Sequence, residues 1–410
     1  MISPTRLLLV AVVTGALIAQ GCSKKKETPI EVTAAPTVAE SGGKAATEKE
    51  CREFADALSA AAKEDNEVKM RTLFRMDDIV QRSISDLGIS QDSRESFMKG
   101  ARGSLATNDL TNQILAAKKT GGDLKFLRIR TVNGQPRALY RFNQGFKGVS
   151  YLELIVARYP DGELGVEDVY VYAAGEMLTQ RLRQSMMPMI ATNQKLLNQL
   201  RGKDKEMLEH AKTIRDMKTK TQSRDHEGAD REYLQLPESL QNDKSVMLIH
   251  IATAKGLGDE NYLAALEKYE NLFPDDASTD LLSIDYYIVK KQFDKALVRI
   301  DRLNKAIEGD PYLNVLRAKA LAENHQFAEA AKAAESAIQA EPDSLDGYWS
   351  RLSVSLKAKM FADTLTWLQK ITETFEFEFA DLTKLDDYSE FVESPQYAEW
   401  TKWLAEQKKK

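Results

Sequence analysis

Chemistry needs particular side chains brought together, and this chain of 410 residues offers few such groupings. Its four histidines, His210, His226, His250 and His325, are well separated along the chain, and none forms an H-E-x-x-H pair or another metal-ligand spacing. Cys22 and Cys51 are too few for a disulfide framework or a cysteine-based zinc site. No G-x-S-x-G elbow occurs, and no glycine loop of the kind that cradles phosphate. The carboxylates Asp77, Asp78, Glu153 and Asp168 remain as acid–base candidates. On a strand face such groups more often form cross-strand pairs, here Arg128 or Arg130 with Asp168 or Glu153. The expectation is a non-enzymatic protein without cofactor or metal. A net charge of −5, with no large basic block in the folded part, argues against nucleic acid as a partner. Apolar content of 43% and charged content of 29% are those of a globular protein.

One thiol has a setting of its own. Leu7–Ala19 (LLLVAVVTGALIA) is uncharged and follows a short start with one positive charge, Arg6. It is too short for the roughly 20 residues of a spanning helix and suits the core of a secretory signal. Ala19-Gln20-Gly21-Cys22 comes next. This resembles a bacterial lipoprotein signal, in which a small residue precedes the cysteine that is lipidated. Gly21 fits that pattern; Ala19 and Gln20 depart from it. The resemblance implies removal of residues 1–21, a diacylglycerol thioether on Cys22 and a protein held at the membrane by its acyl chains, each buried methylene contributing ~0.8 kcal/mol. Ser23, rather than Asp, implies the outer membrane facing the periplasm. The alternative is an ordinary signal cut near this point, with Cys22 incidental. Residues 22–47, rich in Lys, Pro, Ala, Thr and Gly, read as a flexible tether.

Residues 48–175 read as an α+β domain. Helical spacing runs through Glu50–Ser85 and again through about Ser93–Lys119. Four strand-like runs follow, Leu124–Val132, Arg137–Phe142, Gly148–Tyr159 and Leu164–Tyr172, separated by Asn133-Gly134, Asn143-Gln144-Gly145 and Pro160-Asp161-Gly162. Alternation puts Leu127, Ile129, Leu139, Leu152, Leu154, Val156, Val169 and Val171 on a helix-facing side. The other side takes Phe126, Arg128, Arg130, Tyr140, Phe142, Tyr151, Glu153, Asp168, Tyr170 and Tyr172. Helices packed on a four-stranded antiparallel sheet resemble the nuclear-transport-factor-like or cystatin-like cone. The Tyr-rich side is then a candidate self-association surface. A small-molecule pocket or enzyme inside the cone is the alternative reading of this domain.

From residue 176 onward the pattern is helical. Phe293, Phe327 and Phe361 recur at a constant interval in similar settings. A fixed period of about 34 residues means stacked helical hairpins, since one hairpin cannot bury its own apolar face. In Pro311–Ser344, Ala318 and Ala330 allow close helix approach, Leu321 and Phe327 fill the gap, and Pro342 ends the unit. These features resemble the tetratricopeptide repeat (TPR). The division is a helical connector at 176–245, in which Asp204–Pro237 reads as a degenerate unit, TPR-like repeats at 246–378, and a helical cap with a basic tail at 379–410. The resemblance implies an all-α solenoid whose groove, lined by the first helix of each hairpin, binds a protein or peptide. Its candidate residues are Asp285, Tyr312, Lys319, Glu323, Trp349 and Lys357. Together the two resemblances imply a lipid-anchored interaction scaffold of the bacterial cell envelope.

Overall fold

The computed structural model describes residues 43–85, 109–145, 148–190, 202–274 and 276–407, with isolated positions between 91 and 102. Cys22, residues 1–21, most of the tether and the Lys408–Lys410 tail lie outside the described residues. The chain divides between Thr279 and Asp280 into two compact units.

The first unit opens with a strap that the sequence reads as tether. Lys44 and Ala45 form β1 and pair with Arg158 and Ala157. Only glycine fits before them: a Cβ on Gly43 would lie 2.8 Å from the Ala157 Cβ and from the Arg158 carbonyl oxygen. Thr47 then starts α1 (Glu48–Lys63) with a reciprocal capping box. The Glu50 backbone N–H donates to Thr47 Oγ1 at 3.3 Å, and the Thr47 N–H donates to Glu50 Oε2 at 2.8 Å. Those backbone and Arg158 hydrogen bonds hold the Glu50 carboxyl down at about 2. The helices α2 (Glu67–Phe74), α3 (Met76–Ser83) and α4 (Leu110–Lys118) follow.

The sheet is antiparallel throughout and has six strands, not the four expected. β2 (Asp123–Val132), β3 (Gln135–Asn143), β4 (Val149–Arg158), β5 (Leu164–Val171) and β6 (Glu176–Met177) lie in sequence order, with β1 beside β4. β1 and β6 are two residues each, too short to show alternation. Asn133 and Gly134 both have positive φ, 52° and 77°, the mirror-image turn that matches the twist of a hairpin.

The two faces differ from simple alternation. A bulge between Phe126 and Arg128 shifts the phase of β2, and on β3 Tyr140 stands opposite Leu152 while Leu139 stands opposite Glu153. Phe126, Tyr140 and Phe142 therefore join Leu152, Leu154, Val169 and Val171, and the Tyr140 hydroxyl donates to the Ala55 carbonyl of α1 at 3.1 Å. Leu139 moves to the charged face. There Arg130 and Arg137 stand directly opposite each other, a repulsive arrangement relieved by Glu153, which accepts from Arg130 at 2.9 Å and Arg137 at 3.1 Å. Tyr140, Tyr151 and Tyr172 are buried, whereas Phe126 and Tyr170 are half-buried.

Helices complete this unit: α5 (Leu178–Ile190), α6 (Gly202–Glu209), α7 (Ala211–Gln222), α8 (His226–Leu234), a single turn at Glu238–Gln241, α9 (Lys244–Leu257) and α10 (Asp259–Leu272). Met207, Met217, Ala229, Tyr233, Leu236, Leu240 and Val246 form a shared core. Lys244 ties these helices to the sheet. Its ammonium donates to the Gly175 carbonyl at 3.1 Å and to Asp276 at 2.5 Å, over the Phe273 ring.

The second unit holds most of α11 (Ala277–Val289), then α12 (Phe293–Ala306), α13 (Leu313–Glu323), α14 (Phe327–Ala340), α15 (Leu345–Lys357), α16 (Phe361–Phe375), two 3-10 turns, a single turn at Ser389–Val392 and α17 (Pro395–Gln407). The three periodic phenylalanines each open a helix. Each is preceded by a left-handed residue, Lys291 (φ 56°), His325 (58°) and Lys359 (55°), and these recur at the same interval. After each, an N–H reaches back to a carbonyl in the preceding helix, Gln292 to Tyr287, Gln326 to Leu321 and Met360 to Ser355, at 2.8–2.9 Å. Side chains other than glycine cost about 1 kcal/mol or more in that conformation. His325→Gly is therefore expected to stabilise the second unit by about 1 kcal/mol. Urea unfolding followed by tryptophan fluorescence checks this, because Trp349, Trp367, Trp400 and Trp403 all lie in that unit. A loss of stability would show that the histidine ring, not the backbone, sets the turn.

Candidate functional site

Lys319 lies one period after Asp285, and their charged atoms are 3.7 Å apart. Lys357 lies one period after Glu323 and donates to it at 2.7 Å. Four of the six residues expected to line the groove thus form two ion pairs, each joining equivalent positions on the first helices of successive hairpins. Asp285 is buried, whereas the Glu323–Lys357 pair is about one third exposed. A second ladder has the same period. Arg317 pairs with Asp301 and Arg351 with Glu335, at one and the same separation along the chain. Arg351 is buried, also holds Asp363 at 2.9 Å, and lies 5.3 Å from the centre of the Trp367 ring.

The other two expected groove residues are packing residues. Tyr312 is buried at the start of α13, where its N–H donates to Asp310 at 3.1 Å. Trp349 packs its ring against Phe377 and Phe379, with centroids 5.3 and 5.4 Å away, and Phe379 in turn meets Trp400 of α17. Trp349 belongs to the seam with the C-terminal cap. The period held the signal for this: Val315 and Leu281, one and two periods earlier, are both buried. Arg351, absent from the sequence-based candidates, is the anchoring cation of this unit; its place one period after Arg317 was its only visible mark.

Beside Lys357 opens a cleft of about 260 Å³ lined by Leu356, Phe361 and Phe391 together with Ser353, Lys359 and Glu390. Lys359 is paired with Glu390.

In the first unit each candidate carboxylate has a partner. Asp77 holds Arg102, Asp78 holds Arg75, Glu153 holds two arginines, and Asp168 accepts from the Thr179 hydroxyl at 2.5 Å and from the N–H groups of Val169 and Thr179. Burial raises the Asp168 carboxyl above its ordinary range, against those hydrogen bonds. Cys51 is fully buried, and desolvation pushes its thiol up to about 11, which makes it a poor nucleophile at neutral pH. Among the described residues no three His, Cys, Asp or Glu side chains gather to hold a metal, and no helix is long and apolar enough to cross a membrane.

No family model matches this chain, and neither the curated proteins nor the solved structures include a significant match.

Packing and surface roles separate on mutation. Trp349→Ala is expected to destabilise the second unit by about 2–3 kcal/mol, and Glu323→Gln by at most about 1 kcal/mol, as for other exposed pairs. Denaturant curves followed by circular dichroism measure both. Equal losses would remove Trp349 from the packing seam.

Proposed function

We propose that this protein is a non-enzymatic interaction scaffold of the bacterial cell envelope. It is exported, anchored through lipid on Cys22 to the outer membrane, and its TPR-like helical hairpins bind a protein or peptide along their first helices. One observation carries the binding reading: Lys319 meets Asp285 and Lys357 meets Glu323, each across one repeat period. First helices are thereby lined up side by side, as an extended polypeptide needs them. The carboxylates of the α+β domain, each already held by a partner, give no support to an acid–base site there.

Two measurements test the two halves. A photo-cross-linking residue placed at Lys319 or Lys357 in cells is expected to capture one defined protein. The same residue at Val298, exposed on the second helix of its hairpin, should not capture it. The charge-swapped variant Glu323→Lys/Lys357→Glu keeps an ion pair but inverts the surface, and should lower capture from Lys319 about tenfold, as expected for a lost contact of ~1.4 kcal/mol. Equal capture at all three positions, or no effect of the swap, would overturn the groove. Separately, the full-length protein should enter the detergent phase on Triton X-114 partitioning and Cys22→Ser should not; identical partitioning would remove the anchor.

A further inference from the structure

α8 and α9 meet at an interface containing two histidines, one from each helix. His226 opens α8, and its ring lies on the backbone of Gly256 in α9, so closely that a Cβ there would fall 2.2 Å from the ring atoms. The second histidine, His250, belongs to α9. Its ring stacks on Tyr233 of α8 with centroids 3.7 Å apart and planes 9° from parallel, and its Nε2 lies 3.0 Å from an Asp230 oxygen. The Nδ1 atoms of both histidines are buried without a hydrogen-bond partner.

The groups facing His250 fix the cost of protonating it. Asp230 and Tyr233 come from α8. Lys268 comes from α10, with its ammonium donating to the Tyr233 hydroxyl at 3.1 Å. With one proton, on Nε2, the imidazole donates to Asp230. A second proton would sit on Nδ1, inside the interface, where no acceptor waits, and would place a cation near Lys268.

We propose that the α8–α9 interface is a pH-sensitive joint: protonation of His250 puts an unsatisfied N–H into it and loosens the α7–α8 hairpin from α9 and α10. The direction follows from the charge states. Burial, together with Lys268 and against Asp230, holds the His250 imidazolium below its ordinary pKa of about 6.5. The folded state therefore binds this proton less readily than the unfolded chain. The stabilisation is complete above about 6.5 and falls away as pH drops below it. An envelope compartment open to the medium, which the proposed function supplies, would impose that pH change; the joint itself does not depend on that reading.

The test uses the full chain with ring-labelled histidine and hydrogen exchange read by mass spectrometry at pH 7.5 and 5.5, after correction for intrinsic rates. His250 is expected to titrate below 6.5. Exchange protection across residues 226–234 and 244–257 should fall several-fold between the two pH values, up to the roughly tenfold ceiling that one histidine of ordinary unfolded pKa sets over that range. Helix α14 should keep its protection. His250→Gln should flatten this dependence; should that variant fail to fold, the wild-type titration and exchange decide alone. A His250 midpoint at or above 6.5, or a protection loss shared equally by α14, would overturn the proposal. Failure here would leave the cross-linking result at Lys319 untouched, and the reverse holds as well.

Discussion

The second unit depends on a backbone constraint more than on any side-chain contact. Each hairpin turns through one left-handed residue, and the recurrence of that residue at Lys291, His325 and Lys359 sets the helix register. Once the turn is fixed, α13 and α14 meet through Ala318, Ala330, Ala333 and Ala334, small enough to let the helices close, with Leu321 between them. The ion pairs follow from the same step. A lysine can find an acid one period earlier only if equivalent positions on neighbouring hairpins stand side by side. Exposed pairs such as Glu323–Lys357 contribute little energy. Their value lies in what they report about alignment.

In the first unit the corresponding constraint is the phase of the sheet. A single extra residue in β2 puts Phe126 on the helix-facing side and Arg128 and Arg130 on the charged one, and the register of β3 with β4 does the same for Tyr140 and Leu139. Large aromatics consequently sit against α1. Arg130, Arg137 and Glu153 are left to satisfy one another on the far side, where Arg130 also donates to the Tyr172 hydroxyl at 2.6 Å. A buried carboxylate shared by two arginines satisfies more of its acceptor sites than a simple pair would, and this compensates its loss of water.

Much of this was legible in the sequence, for identifiable reasons. The strand runs and the Asn133-Gly134 turn were readable because period-two patterns and positive-φ residues are local. So was the repeat of the hairpins. What escaped detection was non-local or too short. Neither the bulge at Phe126 nor the two-residue strands β1 and β6 leave a periodic trace. Gly43 is a glycine because of Ala157 and Arg158, which are far away along the chain. Tyr262 and Phe293 stand closer along the chain than one period. The helix actually opens at Asp259, one full period before Phe293, so the aromatic had moved and the spacing had not. Among the expected groove residues, type was a poor guide and period a good one: Trp349 looked like an anchor for a partner until its counterparts Val315 and Leu281 placed it in the packing.

These distinctions bear on what a partner could use. Residues that hold the second unit together, such as Arg351 and Trp349, are engaged on several sides and cannot be released without loosening the helices. The Glu323–Lys357 pair is different. It is partly hydrated, its two side chains are long, and separating them costs little because water and an incoming chain can take over either charge. A partner that offers one carboxylate and one cation at matching separation could therefore exchange with this pair at small net cost and gain orientation from it. Specificity would then come from the spacing of charges along the first helices. That spacing is set by the left-handed turns, so the backbone constraint that builds the unit would also set the ruler by which a partner is measured.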